Sequence, residues 1–254
     1  MMPEDEVMVR LLTLGGAVDQ ISWPGIHSHV ITDYQSNPSI RLVLITGAVA
    51  LAAVLTNRVW RVARNVITIV HEGGHAAAAL ATGRRLTAIR LHSDTSGLTV
   101  SVGRPDGPGM VVTTAAGYLS PSLVGLIGVA VLALGWVSVM LWVSAALLLA
   151  MLFMIRNLYG VVSVLATTAV LVAISLYTAA DVQAAFGHTA AWFFLFGGVR
   201  PVQELQRRRH AGLARDSDAD QLARLTGTPA LLCVGLFGLG TLGALALGGW
   251  LLLG

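Results

Sequence analysis

Residues 71–75 read His71-Glu72-Gly73-Gly74-His75, and the chain's most concentrated chemistry lies here. On a helix, positions i and i+4 share one face, so both imidazoles can reach one metal ion. Neutral imidazole suits Zn²⁺ at about 2.0–2.1 Å. A metal held this way acidifies water, and Glu72 stands beside the pair, where it can take the proton. Between Arg64 and Arg84 the only formal charge is Glu72. Two imidazoles and a carboxylate in so apolar a run are costly to desolvate, which argues for a functional site. The competing reading is a buried polar cluster that packs helices together. Gly73 and Gly74 each cost a helix roughly 1 kcal/mol relative to Ala. With the alanines at 76–79 they make a thin helix face that a backbone or a substrate can approach closely. Small residues also serve ordinary helix packing in membranes.

The rest of the chain says what surrounds that helix. Of 254 residues, 55% are hydrophobic and 11% charged, against about 25% charged in ordinary soluble domains. Too few charges remain to cover a soluble surface. Soluble enzyme, disordered chain and disulfide scaffold are excluded, which leaves an integral membrane protein in contact with the lipid bilayer. The 16 basic residues are all arginine and the net charge is +3. The arginines lie between apolar runs, so they read as topology charges, and no nucleic-acid partner is expected. The single cysteine, Cys233, can form neither an internal disulfide nor a Cys-based metal site; it is expected to face lipid or another helix. The acidic start, Met1-Met2-Pro3-Glu4-Asp5-Glu6, lacks the basic opening of a secretory signal.

Stretches free of charge mark the spans: 42–57, 65–83 apart from Glu72, 107–155, 157–180, 182–199 and 225–254. The third is long enough for two spans, with a break near Gly135-Trp136. The expectation is an all-α integral protein of the cell membrane with about six or seven transmembrane helices. Residues 1–40 form an N-terminal polar segment with a weak amphipathic stretch at 7–18, and 41–254 form the multi-pass domain. Residues 85–106 interrupt the helices as a short β-hairpin. Residues 86–92 and 98–102 alternate in polarity, and Ser93-Asp94-Thr95-Ser96-Gly97 supplies turn chemistry between them. Residues 200–224 hold six arginines and read as the most basic loop, hence cytoplasmic. Counting spans backwards puts the hairpin on that side too. The segment with Arg58, Arg61 and Arg64 then falls outside if 65–83 spans fully, and inside if that helix only dips in.

Four features, in order, carry a resemblance. The first is His71-Glu72-Gly73-Gly74-His75-Ala76 in an apolar helix, followed by Thr82-Gly83-Arg84. The second is the hairpin. The third is Ala116-Gly117-Tyr118-Leu119-Ser120-Pro121-Ser122-Leu123-Val124-Gly125. The fourth is Arg156-Asn157-Leu158-Tyr159-Gly160, with Ser217-Asp218-Ala219 later. Over roughly residues 60–254 the chain resembles the site-2 protease family of intramembrane zinc metalloproteases, in its compact peptidase-like branch. The resemblance implies Zn²⁺ on His71 and His75, Glu72 as general base, and a membrane protein or peptide as substrate. It also implies that the hairpin offers an edge strand to that substrate. A transmembrane helix satisfies its peptide groups internally; once unwound for hydrolysis, it would regain hydrogen bonds by strand addition. The plain reading of 85–106 is a connecting hairpin.

A catalytic zinc takes three protein ligands and a water. The family's third is commonly an Asp following an Asn-x-x-Pro element. Asn157 matches the Asn, but residues 158–180 contain no acid, so the chain departs from the pattern. Glu204, in Arg200-Pro201-Val202-Gln203-Glu204, is the first substitute. Asp218 is the second, although Ser217-Asp218-Ala219-Asp220 reads more strongly as a helix cap. Asn157 could bind through its carboxamide oxygen or hydrogen-bond substrate backbone. Asp181 falls on the opposite side. His27, His29, His92, His188 and His210 have no partner at comparable ligand spacing, and His188 reads as a helix–helix hydrogen bond. Gly117, Pro121 and Gly125 share a helix face suited to close packing. Two functions follow: a zinc endopeptidase acting in the membrane, or a non-hydrolytic zinc-binding membrane scaffold or regulator that keeps the metal site.

Overall fold

The computed structural model describes residues 38–214 and 216–254. The amphipathic stretch at 7–18, His27 and His29 lie outside the described residues. Among the described residues, eight helices and one hairpin follow in order: α1 (Ile40–Leu55), α2 (Asn57–Ala81), β1 (Arg85–Leu91), β2 (Gly97–Val102), α3 (Pro108–Ala133), α4 (Val137–Leu152), α5 (Leu158–Tyr177), α6 (Ala180–His210), α7 (Asp218–Thr226) and α8 (Ala230–Leu253).

Among the described residues, three helices, α3, α5 and α8, are long and apolar enough to cross a membrane, and α1 with α2 makes a fourth if that pair, bent by 100°, is one broken span. The six or seven expected spans are therefore not reached by length and composition. The break at Gly135 is where the sequence places it, with a positive φ of 73° that glycine adopts freely. It leaves α4 with 16 residues, about 24 Å of rise against a hydrocarbon core of about 30 Å. Helix α6 carries Gln183 and His188 in its first half and arginines in its last turn. The expected loop at 200–224 is a further correction. Residues 200–210 continue α6 through Pro201, and 218–226 form α7. Arg200 and Glu204 pair one turn apart across that proline, the spacing that supports a helix.

Helix α3 lies between α2 and α6, and small residues set how closely they approach. Ser120 donates from its hydroxyl to the Val70 carbonyl at 2.9 Å. A Cβ on Gly74 would clash with Ser120, one on Gly125 would press on Leu195, and one on Gly198 would clash with Ser122. Two buried clusters hold the ends. Val43, Leu141, Trp192 and Leu195 join α1, α4 and α6. Val202, Leu205, Leu222, Cys233 and Phe237 join the end of α6 to α7 and α8. Cys233 is thus helix-facing and buried. His188 is buried, but its ring hydrogen-bonds Ala184 O one turn back on α6, not a second helix.

The hairpin forms as expected, antiparallel, with Arg90 opposite Leu98 and an irregularity between Leu86 and Ala88. Its β1 edge is already occupied. Ile89 N–H donates to Met154 O, and Arg156 N–H donates to Ile89 O. Ile89, Leu91, Ile155 and Val164 bury together with Ile69 of α2. Since Ile89 and Leu91 turn their peptide groups outward from β2, Ala88 and Arg90 turn theirs towards it. Strand alternation then points the peptide groups of Gly97 and Thr99 away from β1. The open edge of the sheet is β2.

Candidate metal centre

His71 and His75 sit mid-way along α2, one turn apart, and both rings point to the same place. Their Nε2 atoms are 3.2 Å apart. The carboxylate that meets them is Asp218: its Oδ2 lies 3.2 Å from His71 Nε2 and 3.3 Å from His75 Nε2. Among the described residues, this is the one group of three or more His, Cys, Asp or Glu side chains with metal-ligand spacing. A tetrahedral ion with ligands at about 2.0–2.1 Å holds them roughly 3.3–3.4 Å from one another, so the triangle fits. Three lone-pair atoms this close repel one another unless a cation, metal or proton, lies among them.

The surrounding residues aim these atoms. His75 Nδ1 lies 2.7 Å from the Thr113 carbonyl. It donates there, which leaves the Nε2 lone pair facing the centre. The His71 ring meets Tyr118 edge-on, 4.9 Å between centroids, and Tyr118 stacks on Phe237 of α8. Gly117 lies directly beneath. A Cβ there would fall closer than 3.0 Å to both Nε2 atoms, a separation that real Cβ atoms essentially never show. The centre is partly open, with side-chain exposures of 20% for His71, 11% for His75 and 22% for Asp218.

Asp218 reaches the centre because α7 starts there. Ser217 caps α7, and Asp220 closes the capping box by accepting from Ser217 N–H at 3.2 Å. The capping expectation for 217–220 therefore holds through Asp220, and this leaves the Asp218 carboxylate free for the histidines. Arg209 anchors the box by donating to Asp220. Burial opposes ionisation of Asp218, but the hydrogen bonds to His71 and His75 outweigh it and hold its carboxyl well below the usual range.

The other expected site residues are elsewhere. Glu204, the first substitute, does not join the histidines. Its Oε1 accepts from Trp60 Nε1 at 2.8 Å and Arg200 Nε at 3.0 Å, and Oε2 lies 3.5 Å from Arg64. Two guanidinium groups at the α1–α2 bend hold its charge, which also puts the 58–64 segment against the basic end of α6. Asn157 does not reach the centre either. Its carboxamide accepts from Leu91 N–H at 3.2 Å and donates to Leu91 O at 2.6 Å, so it docks β1 where substrate contact was expected.

Glu72 is buried at 4% exposure and turned towards β2. Thr99 Oγ1 donates to Glu72 Oε2 at 2.6 Å and lies 3.1 Å from Glu72 O. A Cβ on Gly97 would clash with Glu72 Oε1. The sequence reading missed Thr99, Thr113 and the reason for Gly117. Only strand alternation pointed at Thr99, and it did not say which helix that face would meet.

Apolar helices of spanning length thus surround a His/His/Asp group, two of its members from His-Glu-x-x-His, with the spacing to hold a metal ion. The Peptidase M50B-like family model matches residues 44–248. The chain belongs to that family, which is the site-2 protease family, and membership points to a protease, that is, a hydrolase. Neither a curated protein nor a solved structure matches the chain.

Proposed function

We propose that this protein is a zinc metalloendopeptidase of the cell membrane that hydrolyses peptide bonds in membrane-embedded or membrane-adjacent segments. The observation that carries the reading is the triangle of His71 Nε2, His75 Nε2 and Asp218 Oδ2. These three residues would hold Zn²⁺. When bound, the ion supplies Lewis acidity to the scissile carbonyl and to water. Glu72 is the general base. Thr99 occupies its Oε2, so Oε1 is the oxygen that takes a proton from the attacking water and passes it to the departing amine. The outward peptide groups of Gly97 and Thr99 give an unwound substrate segment a strand to pair with, directly beside Glu72.

The test is metal analysis of the purified full chain paired with a cleavage assay on single-span substrates. The wild type should hold about one zinc per chain. Glu72→Gln should keep the zinc and lose cleavage, Asp218→Ala should lose the zinc, and Glu204→Gln should keep it. Full activity in Glu72→Gln would remove Glu72 from the chemistry. Stoichiometric zinc without cleavage by the wild type would favour the scaffold reading.

A further inference from the structure

A cavity of about 520 Å³ opens at the α1–α2 bend, with walls from α2, the hairpin turn and the end of α6. That volume lies within the range of small-molecule sites, about 300–1,000 Å³. His71, His75 and Asp218 do not line it. Arg61, Arg64, Arg200, Arg207 and Arg208 do, with Glu204 and Asp94 as its acids. Five guanidinium groups against two carboxylates leave three positive charges unbalanced. Glu204 is taken by Arg64 and Arg200. Asp94 accepts from Ser96 N–H at 2.9 Å and Ser96 Oγ at 2.6 Å. Among the described residues, Arg61, Arg207 and Arg208 make no ion pair, and all three are exposed.

Like charges gathered around a cleft raise each other's energy unless an anion joins them. Guanidinium forks match phosphate oxygens by paired hydrogen bonds. The stretch of chain that supplies Arg61 also exposes Leu55 at 66%, Val59 at 46% and Val62 at 78%. Cationic lining beside bare apolar surface suits a molecule that carries both a phosphate and an acyl chain. We infer that this cleft binds the phosphate headgroup of an anionic phospholipid, with Arg61, Arg207 and Arg208 as the headgroup ligands. The site is separate from the metal centre and does not rest on the protease reading.

The experiment titrates the full chain, in neutral detergent, with dioctanoyl phosphatidic acid and dioctanoyl phosphatidylcholine, reading binding by native mass spectrometry. Phosphatidic acid should bind saturably and in preference to phosphatidylcholine. One basic side chain near an anionic headgroup contributes about five-fold in affinity. The double variant Arg61→Ala/Arg207→Ala, in exposed positions, should therefore weaken phosphatidic acid binding by roughly 25-fold while zinc content stays at the wild-type level. Stripping zinc from the wild type should leave lipid affinity unchanged. Unchanged lipid affinity in the double variant overturns the site. Inorganic phosphate that competes as well as the lipid overturns the lipid assignment in favour of a free anion. An acidic peptide that displaces phosphatidic acid at lower concentration overturns it in favour of a polypeptide partner.

Discussion

Replacing Thr99 by Val tests whether the hairpin positions Glu72, the proposed general base. The valine keeps the β-branched shape but removes the hydroxyl that donates to Glu72 Oε2 at 2.6 Å. Glu72 is only 4% exposed, so water does not readily replace that donor. A hydrogen bond to a charged group contributes about 1.5–3 kcal/mol. If it is lost in the transition state, kcat falls by about 10- to 150-fold. The substitution leaves His71, His75 and Asp218 untouched, so zinc content should match the wild type. KM should change little, because the outward peptide groups of β2 remain. Thr99→Ser restores the hydroxyl and should recover most of the rate. The assay is steady-state cleavage of a single-span substrate in detergent, with zinc measured on the same samples. Wild-type kcat in Thr99→Val, or a Ser variant no better than Val, would refute the positioning role. A drop in zinc content would show instead that the hairpin holds the metal helix.

Two further outcomes follow from the same geometry. Gly117→Ala puts a Cβ closer than 3.0 Å to both imidazole Nε2 atoms, so it should weaken zinc affinity by about ten-fold or more, measured by competition with a chelator. Gly73→Ala, where a Cβ meets nothing within 4 Å, should leave zinc content at the wild-type level. Asp220 carries a pH signature. Burial raises its pKa, but hydrogen bonds from Arg209 and Ser217 outweigh that and lower it. Its contribution to holding α7 is present in full above the unfolded carboxylate value of about 3.9 and is lost as pH falls through the lower folded value. Thermal melts of wild type and Asp220→Asn should therefore differ at neutral pH and converge in acid below about pH 4. A gap that widens on acidification would contradict the capping role.

The ion pairs at the α1–α2 bend join two segments that charge counting alone did not place together. Arg200 donates to the Val54 carbonyl and to Asn57 Oδ1 at 2.6 Å, and lies 4.8 Å from the centre of the Trp60 ring. The 58–64 segment and the basic end of α6 therefore lie together. Thr68 Oγ1 donates to the Thr95 carbonyl at 2.8 Å, which brings the hairpin turn to the same end of α2.

What the sequence determined by itself is local. An i, i+4 spacing places His71 and His75 on one helix face whatever packs against it. Alternation with a Ser-Asp-Thr-Ser-Gly turn makes a hairpin, Gly135 breaks the long apolar run, and Ser217 with Asp220 starts a helix. Each of these depends on neighbours a few residues away. Tertiary structure decided which acid meets the two histidines, because no local pattern tells one acid from another. Glu204 and Asp218 both follow the apolar stretch 182–199. Arg64, Arg200 and Trp60 take the first, while packing of Leu222 against Phe237 and Leu205 brings the second to the histidines. The same holds for Asn157, whose carboxamide is used by β1, and for Thr99, whose hydroxyl finds Glu72 only when β2 packs along α2. The bend between α1 and α2 is held by such contacts too, through Arg200 on Val54 and Asn57. Charge-free stretches mark where a chain is apolar, but whether each becomes a full crossing depends on where neighbouring helices end it.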